Sequence, residues 1–468
     1  MKNLRKILTL WLLWHIRSVI LLLHESPSFL ELTKDPGFVD KTMLLETVFQ
    51  HLNCNYHLLT YPSKFGKTSN LKMIQSFVEL KADKCAHIKK KWNTTSYKVF
   101  TNKSLGLRIS QHRHLIRKHL AEYPVIYITF RNIIRPTFEE TIQKLSDKIR
   151  ECYEKYHWLY EVLKNDSLQE TSDEWGYLLR GQIEFWNRTY VNRCRAVDLQ
   201  NSLFALSKIL CYYLDKKIFV LIDDYDAPLI EAISSNEKIS YHVFLIQDYV
   251  NGIIQKLFKP SCLDQYIEYG FVTGTTSYIV SSSLTKIQSI RHYRFLDDHI
   301  FTPFFGFNEQ EIRNLQQRHR HQQVEMEHNN TLMGIFSGYQ IHNTSIKIYN
   351  PYLCSKYFNE CSKNRSEMTE LSSDVIEKGF LTNLIQSPRL KECLLQLSNS
   401  SLIQFKLLTH ISVDDFRKFY KVGCETGIKD EFDFDIFYSL LYEIGYLSYT
   451  DQEGVFSKPK EIANVFAD

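Results

Sequence analysis

Two short runs carry the residue types that phosphate chemistry needs. The first, Tyr61-Pro62-Ser63-Lys64-Phe65-Gly66-Lys67-Thr68, leaves an apolar run and opens an amphipathic one. In that setting backbone N–H groups at a helix N-terminus cradle anionic oxygens, a lysine reaches the β- and γ-phosphates, and a threonine hydroxyl ligates Mg2+. Pro62, Ser63, Lys64, Phe65, Gly66, Lys67 and Thr68 are therefore the candidate nucleotide-binding residues. The first glycine of GxxxxGK[ST] falls on Tyr61, so only the second half of the motif is present, and taken alone an ordinary strand-to-helix turn reads the same. The second run is Phe219-Val220-Leu221-Ile222-Asp223-Asp224, an apolar strand ending in paired carboxylates. In a parallel sheet both loops open at the carboxyl ends of strands and converge on one ligand. Asp223 is then expected to hold Mg2+ with Thr68, and Asp224 to orient the attacking water. The competing reading is an acidic turn in which Asp224 caps the next helix. Thr273, ending a further apolar run, is a candidate γ-phosphate sensor through its hydroxyl, though threonine is also an ordinary strand residue.

The elements that must position these residues are legible as alternating β-branched runs and longer amphipathic stretches, the pattern of an α/β domain. Strands are expected at Tyr56–Tyr61, Val125–Phe130, Ile218–Ile222 and Tyr269–Thr273, with a helix over about Ser69–Leu80 after the first. The near-continuous apolar third strand suits a parallel sheet covered on both faces. A long helical insertion occupies 138–214, with Trp158, Trp175 and Trp186 as core anchors. A polar helix is expected over Glu309–His321, and Asn350-Pro351 reads as a helix start because Asn caps and Pro tolerates the first turn. Asp40 reads as a further helix cap.

Together the runs Phe38-Val39-Asp40-Lys41-Thr42, Tyr61–Thr68 and Leu221-Ile222-Asp223-Asp224-Tyr225-Asp226-Ala227-Pro228-Leu229 resemble the AAA-ATPase-like family of P-loop proteins. Thr273-Gly274, Phe305-Gly306-Phe307, Gly338-Tyr339 and Tyr349-Asn350-Pro351 keep the family's order, over roughly residues 25 to 468. The resemblance implies a P-loop NTPase αβα sandwich with a parallel sheet, a helical insertion and lid, and a small C-terminal winged-helix-like module. It divides the chain into a leader (1–24), a P-loop domain (25–307), a helical lid (308–400) and the C-terminal module (401–468). It implies ATP and Mg2+ as cofactors and nucleotide as the partner. The family usually reads Arg-Pro-Arg-Arg-Phe-Gly-Lys-Ser, so Tyr61 and Ser63 have lost two guanidinium groups. Where it carries Glu after the metal aspartate, this chain has Asp224, one methylene shorter. Two functions stay open: ATP binding with Mg-dependent hydrolysis to ADP and phosphate, and a catalytically silent binding or interaction module. Many members continue into a PD-(D/E)xK nuclease-like domain; Leu440–Val465 resembles the connector before it, and no nuclease activity is carried over.

Of the 468 residues 44% are hydrophobic and only 16 are Gly and 11 Pro, which excludes collagen-like and disordered chains. With 57 Lys+Arg against 53 Asp+Glu, and Lys2, Arg5, Lys6 and Arg17 in an acid-free leader, the rest is balanced and gives no strong nucleic-acid signal. The basic start and apolar run Ile7–Trp14 read as a signal peptide or signal-anchor, too short and too interrupted for a clear transmembrane span. Eight Asn-x-Ser/Thr sequons, among them Asn165, Asn329 and Asn364, and an even ten Cys agree with a glycoprotein of the secretory pathway or the exterior; without a working leader the chain is cytoplasmic. The cysteines show no CxxC pair and no zinc framework; Cys211 and Cys262 read as buried thiols. His112, His114 and His119, and likewise His319 and His321, read as solvated helix faces rather than metal sites. The residues name no protein partner.

Overall fold

The computed structural model describes residues 28–51, 54–82, 87–167, 181, 184, 186–187, 196–234, 242–259, 265–277, 290–297, 300–320, 336–361, 388–400, 402–408 and 434–460. Five strands, β1 (Tyr56–Thr60), β2 (Val125–Thr129), β3 (Ile218–Asp223), β4 (Ile267–Gly274) and β5 (Arg291–Arg294), pair in the order β2-β3-β4-β1-β5. All four pairings are parallel, so every carboxyl end opens on one edge of the sheet. β3 is buried at all six positions, as a strand covered on both faces must be. It sits one strand away from β1, with β4 between them. The fifth strand escaped the apolar pattern because Arg-His-Tyr-Arg is polar. Its register on β1 explains it: His292 is hydrogen-bonded to Thr60 Oγ1 at 2.9 Å, and Tyr293 packs against Phe301.

The helix after β1 spans Lys67–Val78 and starts two residues before the expected position, because Gly66 at φ 88° turns the chain straight from the loop into the helix. Its Leu71, Ile74, Phe77 and Val78 are buried. Of the helical insertion, Phe138–Glu154 is capped by Thr137, whose hydroxyl accepts from Glu140 N at 3.2 Å. Ala196–Leu214 packs on that helix and on His242–Leu257. Trp186 is buried and Trp158 half-buried, whereas Trp175 lies outside the described residues.

Asn350 starts the Pro351–Cys361 helix as expected, its Oδ1 accepting from the N–H groups of Tyr352 (3.0 Å) and Leu353 (3.3 Å). Asp40 does not cap a helix. Its carboxylate accepts from Thr42 N (2.8 Å) and Arg108 N (2.7 Å), an Asx-type turn tied to a distant segment. His119 is also not on a solvated face: it is buried, stacked on Phe49 at 3.8 Å, and burial followed by the Lys118 charge pushes its pKa down to about 4. The side chains of His319 and His321 lie outside the described residues.

Toward the C-terminus the helix Phe434–Glu443 is buried from Ile436 onward, beside an antiparallel sheet of Leu402–Gln404, Val455–Ser457 and Ser448–Tyr449. One core runs from Phe29 to Phe456, and a smaller one around Phe307 and Phe358 packs Glu309–Arg320 against Pro351–Cys361. The C-terminal part braces the underside of the loop after β1. Tyr339 OH donates to Gly445 O at 2.9 Å, Phe65 meets the Tyr339 ring edge-on at 5.3 Å, and Gly445, at φ 92°, lies so near Pro62 that a Cβ there would stand 2.9 Å from it. Among the described residues no helix is long and apolar enough to cross a membrane. Residues 1–27, which hold the leader, and Cys262 lie outside the described residues; Cys152 and Cys393 are buried free thiols, and Cys211 is a free thiol that is half-buried rather than buried.

Candidate nucleotide site

The loop Tyr61–Gly66 turns off the carboxyl end of β1, and two left-handed residues shape it, Lys64 at φ 68° and Gly66 at φ 88°. Tyr61, where a glycine would open the full motif, is buried with its ring stacked on Phe305 at 4.6 Å. The loop wraps the Lys67 ammonium, which donates to Tyr61 O (2.6 Å) and Pro62 O (3.0 Å) and lies 3.4 Å from Thr275 Oγ1. Burial pulls the Lys67 pKa down, and the charges of Asp224, Asp226 and Asp223 oppose that shift.

Asp223 lies one step deeper. Its Oδ2 accepts from Thr68 Oγ1 at 2.7 Å and from Tyr127 OH at 3.3 Å, and its Oδ1 accepts from Thr273 Oγ1 at 2.7 Å. Burial, then the neighbouring Asp224 carboxylate, pushes its pKa up to about 6. The β1-β4-β3 order produces this meeting: Thr68 follows β1, Thr273 comes from β4 and Asp223 ends β3. Asp224 adopts φ 51°, and its Oδ2 stands 2.8 Å from Arg131 Nη2, an ion pair off-axis for a hydrogen bond.

A cavity of about 760 Å3 opens over this edge. Ser63, Lys64, Phe65, Gly66, Lys67 and Thr68 line it, with Asp224 across from them. Phe29, Leu32, Phe38, Val39 and Phe307 add apolar side chains to its lining. Pro62, within the loop, does not line it, and Asp223 and Thr273 stand behind its wall, both buried. The lining threonine from the end of β4 is Thr275.

Three charged residues beside the site were not singled out from the sequence. Arg131 follows β2 at the same carboxyl edge, a position the strand-end rule could have flagged. Asp226 is buried and accepts from Thr275 N (3.0 Å), Thr276 N (2.6 Å) and Thr276 Oγ1 (2.8 Å). Glu443, from the C-terminal helix, accepts from Ser277 N at 3.0 Å and from Ser277 Oγ. Three consecutive N–H groups, of Thr275, Thr276 and Ser277, are thus held by two buried carboxylates from distant parts of the chain.

A parallel five-stranded sheet whose carboxyl edge carries a lysine-threonine loop beside a strand-terminal aspartate defines a mixed α/β fold consistent with the P-loop class. The chain belongs to the AAA-ATPase-like family, described as predicted AAA-ATPase, whose model matches residues 27–285. Comparison with the curated proteins and with the solved structures gives no match.

Proposed function

We propose that the chain binds ATP in the cavity over Gly66, Lys67 and Thr68, and that Asp224 orients a water for hydrolysis to ADP and phosphate. The observation that carries this reading is the 2.7 Å contact between Thr68 Oγ1 and Asp223, with Lys67 beside it at the cavity wall. Phosphate oxygens would replace the carbonyls of Tyr61 and Pro62 as acceptors for Lys67, and the loop's N–H groups would take the rest of the anionic charge. Among the described residues no group of three or more His, Cys, Asp or Glu forms a metal cage. A hydroxyl beside a single carboxylate suits Mg2+, which takes few protein oxygens and completes its shell with phosphate and water. Thr68 and Asp223 would hold that ion, which when bound neutralises phosphate charge.

A second reading, a silent binding module, draws support from Asp224: it is one methylene shorter than the family's Glu and is tethered to Arg131. Mg-ATP should raise the melting temperature of wild type, because a ligand of the native state alone stabilises it by mass action, and Lys67→Ala should remove most of that shift. An unchanged melting curve at millimolar nucleotide would overturn the binding claim. Phosphate release at background in a protein that binds would leave the silent module.

The finer architecture belongs to the same proposal. We read 308–400 as the lid and 401–468, with its helix and three short strands, as the winged-helix-like module. The leader and the sequons support the secretory pathway or the exterior as its destination; without a working leader the chain stays in the cytosol.

A further inference from the structure

The near-zero whole-chain balance hides a segregation of charge. Residues 84–121 contain ten Lys+Arg and not one Asp or Glu, so the remainder is net acidic once the leader is set aside. This stretch leads from the Lys67–Val78 helix to β2; its middle passes the cavity side, where Phe100 stacks on Phe29, but its two ends return to the edge where the strands begin, opposite the cavity. Lys91 ties the two ends together there, and two neighbouring contacts fix them to the rest of the edge. Lys89 N donates to Lys81 O at 2.7 Å, Lys91 Nζ donates to Arg117 O at 2.6 Å, and Glu122 bridges Lys91 to Lys216. Among the described residues no carboxylate lies within ion-pair distance of Lys89, Lys90, Arg117 or Lys118, all exposed.

The same edge carries apolar groups out of place on a solvated surface. Ile88 is 42% exposed and Trp92 56%, and between them stand only Lys89, Lys90 and Lys91. From His87 to Lys90, and again at Trp92 and Asn93, every residue is exposed, which makes a ridge rather than a groove. A single nucleic-acid strand needs a groove with several stacking rings; among the described residues this ridge offers one indole, with Lys90 at 5.7 Å, and the imidazole of His87. A ridge bearing an aliphatic and an indole side chain, flanked by lysines, suits a flat surface with anionic headgroups over an apolar layer.

We propose that in the chain that stays in the cytosol, where anionic headgroups face it and the Asn93 sequon beside Trp92 carries no glycan, this ridge docks on anionic lipid, Ile88 and Trp92 entering the interface while Lys89, Lys90 and the Arg117-Lys118 pair meet the headgroups. The cavity, at the opposite edge of the sheet, then faces away from the bilayer.

The test is flotation of the full chain with phosphatidylcholine vesicles with and without phosphatidylserine, for wild type, Lys89→Glu/Lys90→Glu and Trp92→Ala. Wild type should bind the phosphatidylserine vesicles more tightly, and that increment should shrink with added salt. Neutralising each ridge lysine should weaken it by about fivefold, and charge reversal by more. Trp92→Ala should weaken it at constant charge, and Trp92→Phe should remove a blue shift of emission on anionic vesicles. All these side chains are exposed, so melting temperatures should match wild type. The leader is itself basic and apolar but common to every variant; an increment that survives Lys89→Glu/Lys90→Glu belongs to the leader and overturns the proposal. Tight binding of a single-stranded oligonucleotide, lost in the same variant, with no lipid increment, would overturn it in favour of a nucleic-acid face.

Discussion

Replacing Glu443 by Gln should raise stability at alkaline pH and leave it nearly unchanged in acid. Glu443 is buried, and burial is the chief cause that pushes its pKa up to about 7, against the pull of Arg294 and the hydrogen bonds from Ser277. An ordinary glutamate in the unfolded chain titrates near 4.5. The native state therefore holds this proton more tightly. Its contribution is fully present below pH 4.5 and is lost as pH rises through about 7. The difference of roughly 2.5 units corresponds to about 3 kcal/mol between pH 4 and pH 8. Glutamine mimics the protonated acid, can accept from Ser277 N, and pays no such cost. Urea unfolding of wild type and Glu443→Gln across that range should give midpoints that coincide near pH 4.5 and diverge toward pH 8, with the variant more stable. Parallel profiles would refute the reasoning, because the carboxyl would then titrate alike in both states. Glu443→Ala should instead lose about 2 to 5 kcal/mol in acid, leaving two buried donors of Ser277 without acceptors and a void behind them, and that deficit should shrink toward pH 8 as wild type alone bears the ionised carboxylate.

Gly66→Ala meets no atom within 4 Å, so its cost is purely the φ of 88°: about 1 to 2 kcal/mol in a melting experiment, with nucleotide binding weakened by the altered loop. His57, buried, and His292, half-buried, have pKa values lowered to about 3 chiefly by burial, so their stabilisation is present above pH 6.5 and is lost progressively as pH falls toward 3. Replacing His57 by Phe, which suits its contacts with Phe271, Tyr293 and Phe301, should flatten the acid limb of a pH-denaturation curve. Asp224→Asn should abolish phosphate release while Mg-ATP binding persists, and Asp224→Glu should raise turnover; equal turnover in all three proteins would remove Asp224 from the reaction. Expression in a cell of the host type should yield a glycosidase-sensitive product lacking about the first 24 residues, checked by mobility shift and N-terminal sequencing; an intact Met1 and no shift would place it in the cytosol.

The parts of the site legible in the sequence were those written in local chemistry. β3 announced itself because a strand buried on both faces must be apolar throughout, and its terminal carboxylates could only lie at the sheet's carboxyl edge. The Gly66-Lys67-Thr68 turn was legible for the same reason: the residue types and their order state what the backbone must do. β5 was not, because Arg291 and Arg294 break the apolar pattern and its pairing with β1 is satisfied by a histidine-threonine hydrogen bond. Nor was the grip on Thr275–Ser277. Asp226 and Glu443 reach it from 49 and 166 residues away, and no spacing within a window of the chain encodes such a meeting.

The brace beneath the phosphate loop also has a timetable. Pro62 and Phe65 rest on Tyr339 and Gly445, and Gly445 is made roughly 380 residues after Pro62, about 20 to 80 s later at ordinary rates of synthesis. β1 waits for its partners β4 and β5, and the rings of Phe65 and Tyr61 have nothing to rest on until Phe295 and Phe305 are made; for the rest of the interval the loop still lacks Tyr339 or Gly445 beneath it and the Ser277 end of β4 lacks its carboxylate. The nascent chain thus carries an unfinished phosphate loop whose bare Phe65 and Tyr61 are a natural target for a chaperone. A ribosome stalled between these segments would release a sheet without a seated site.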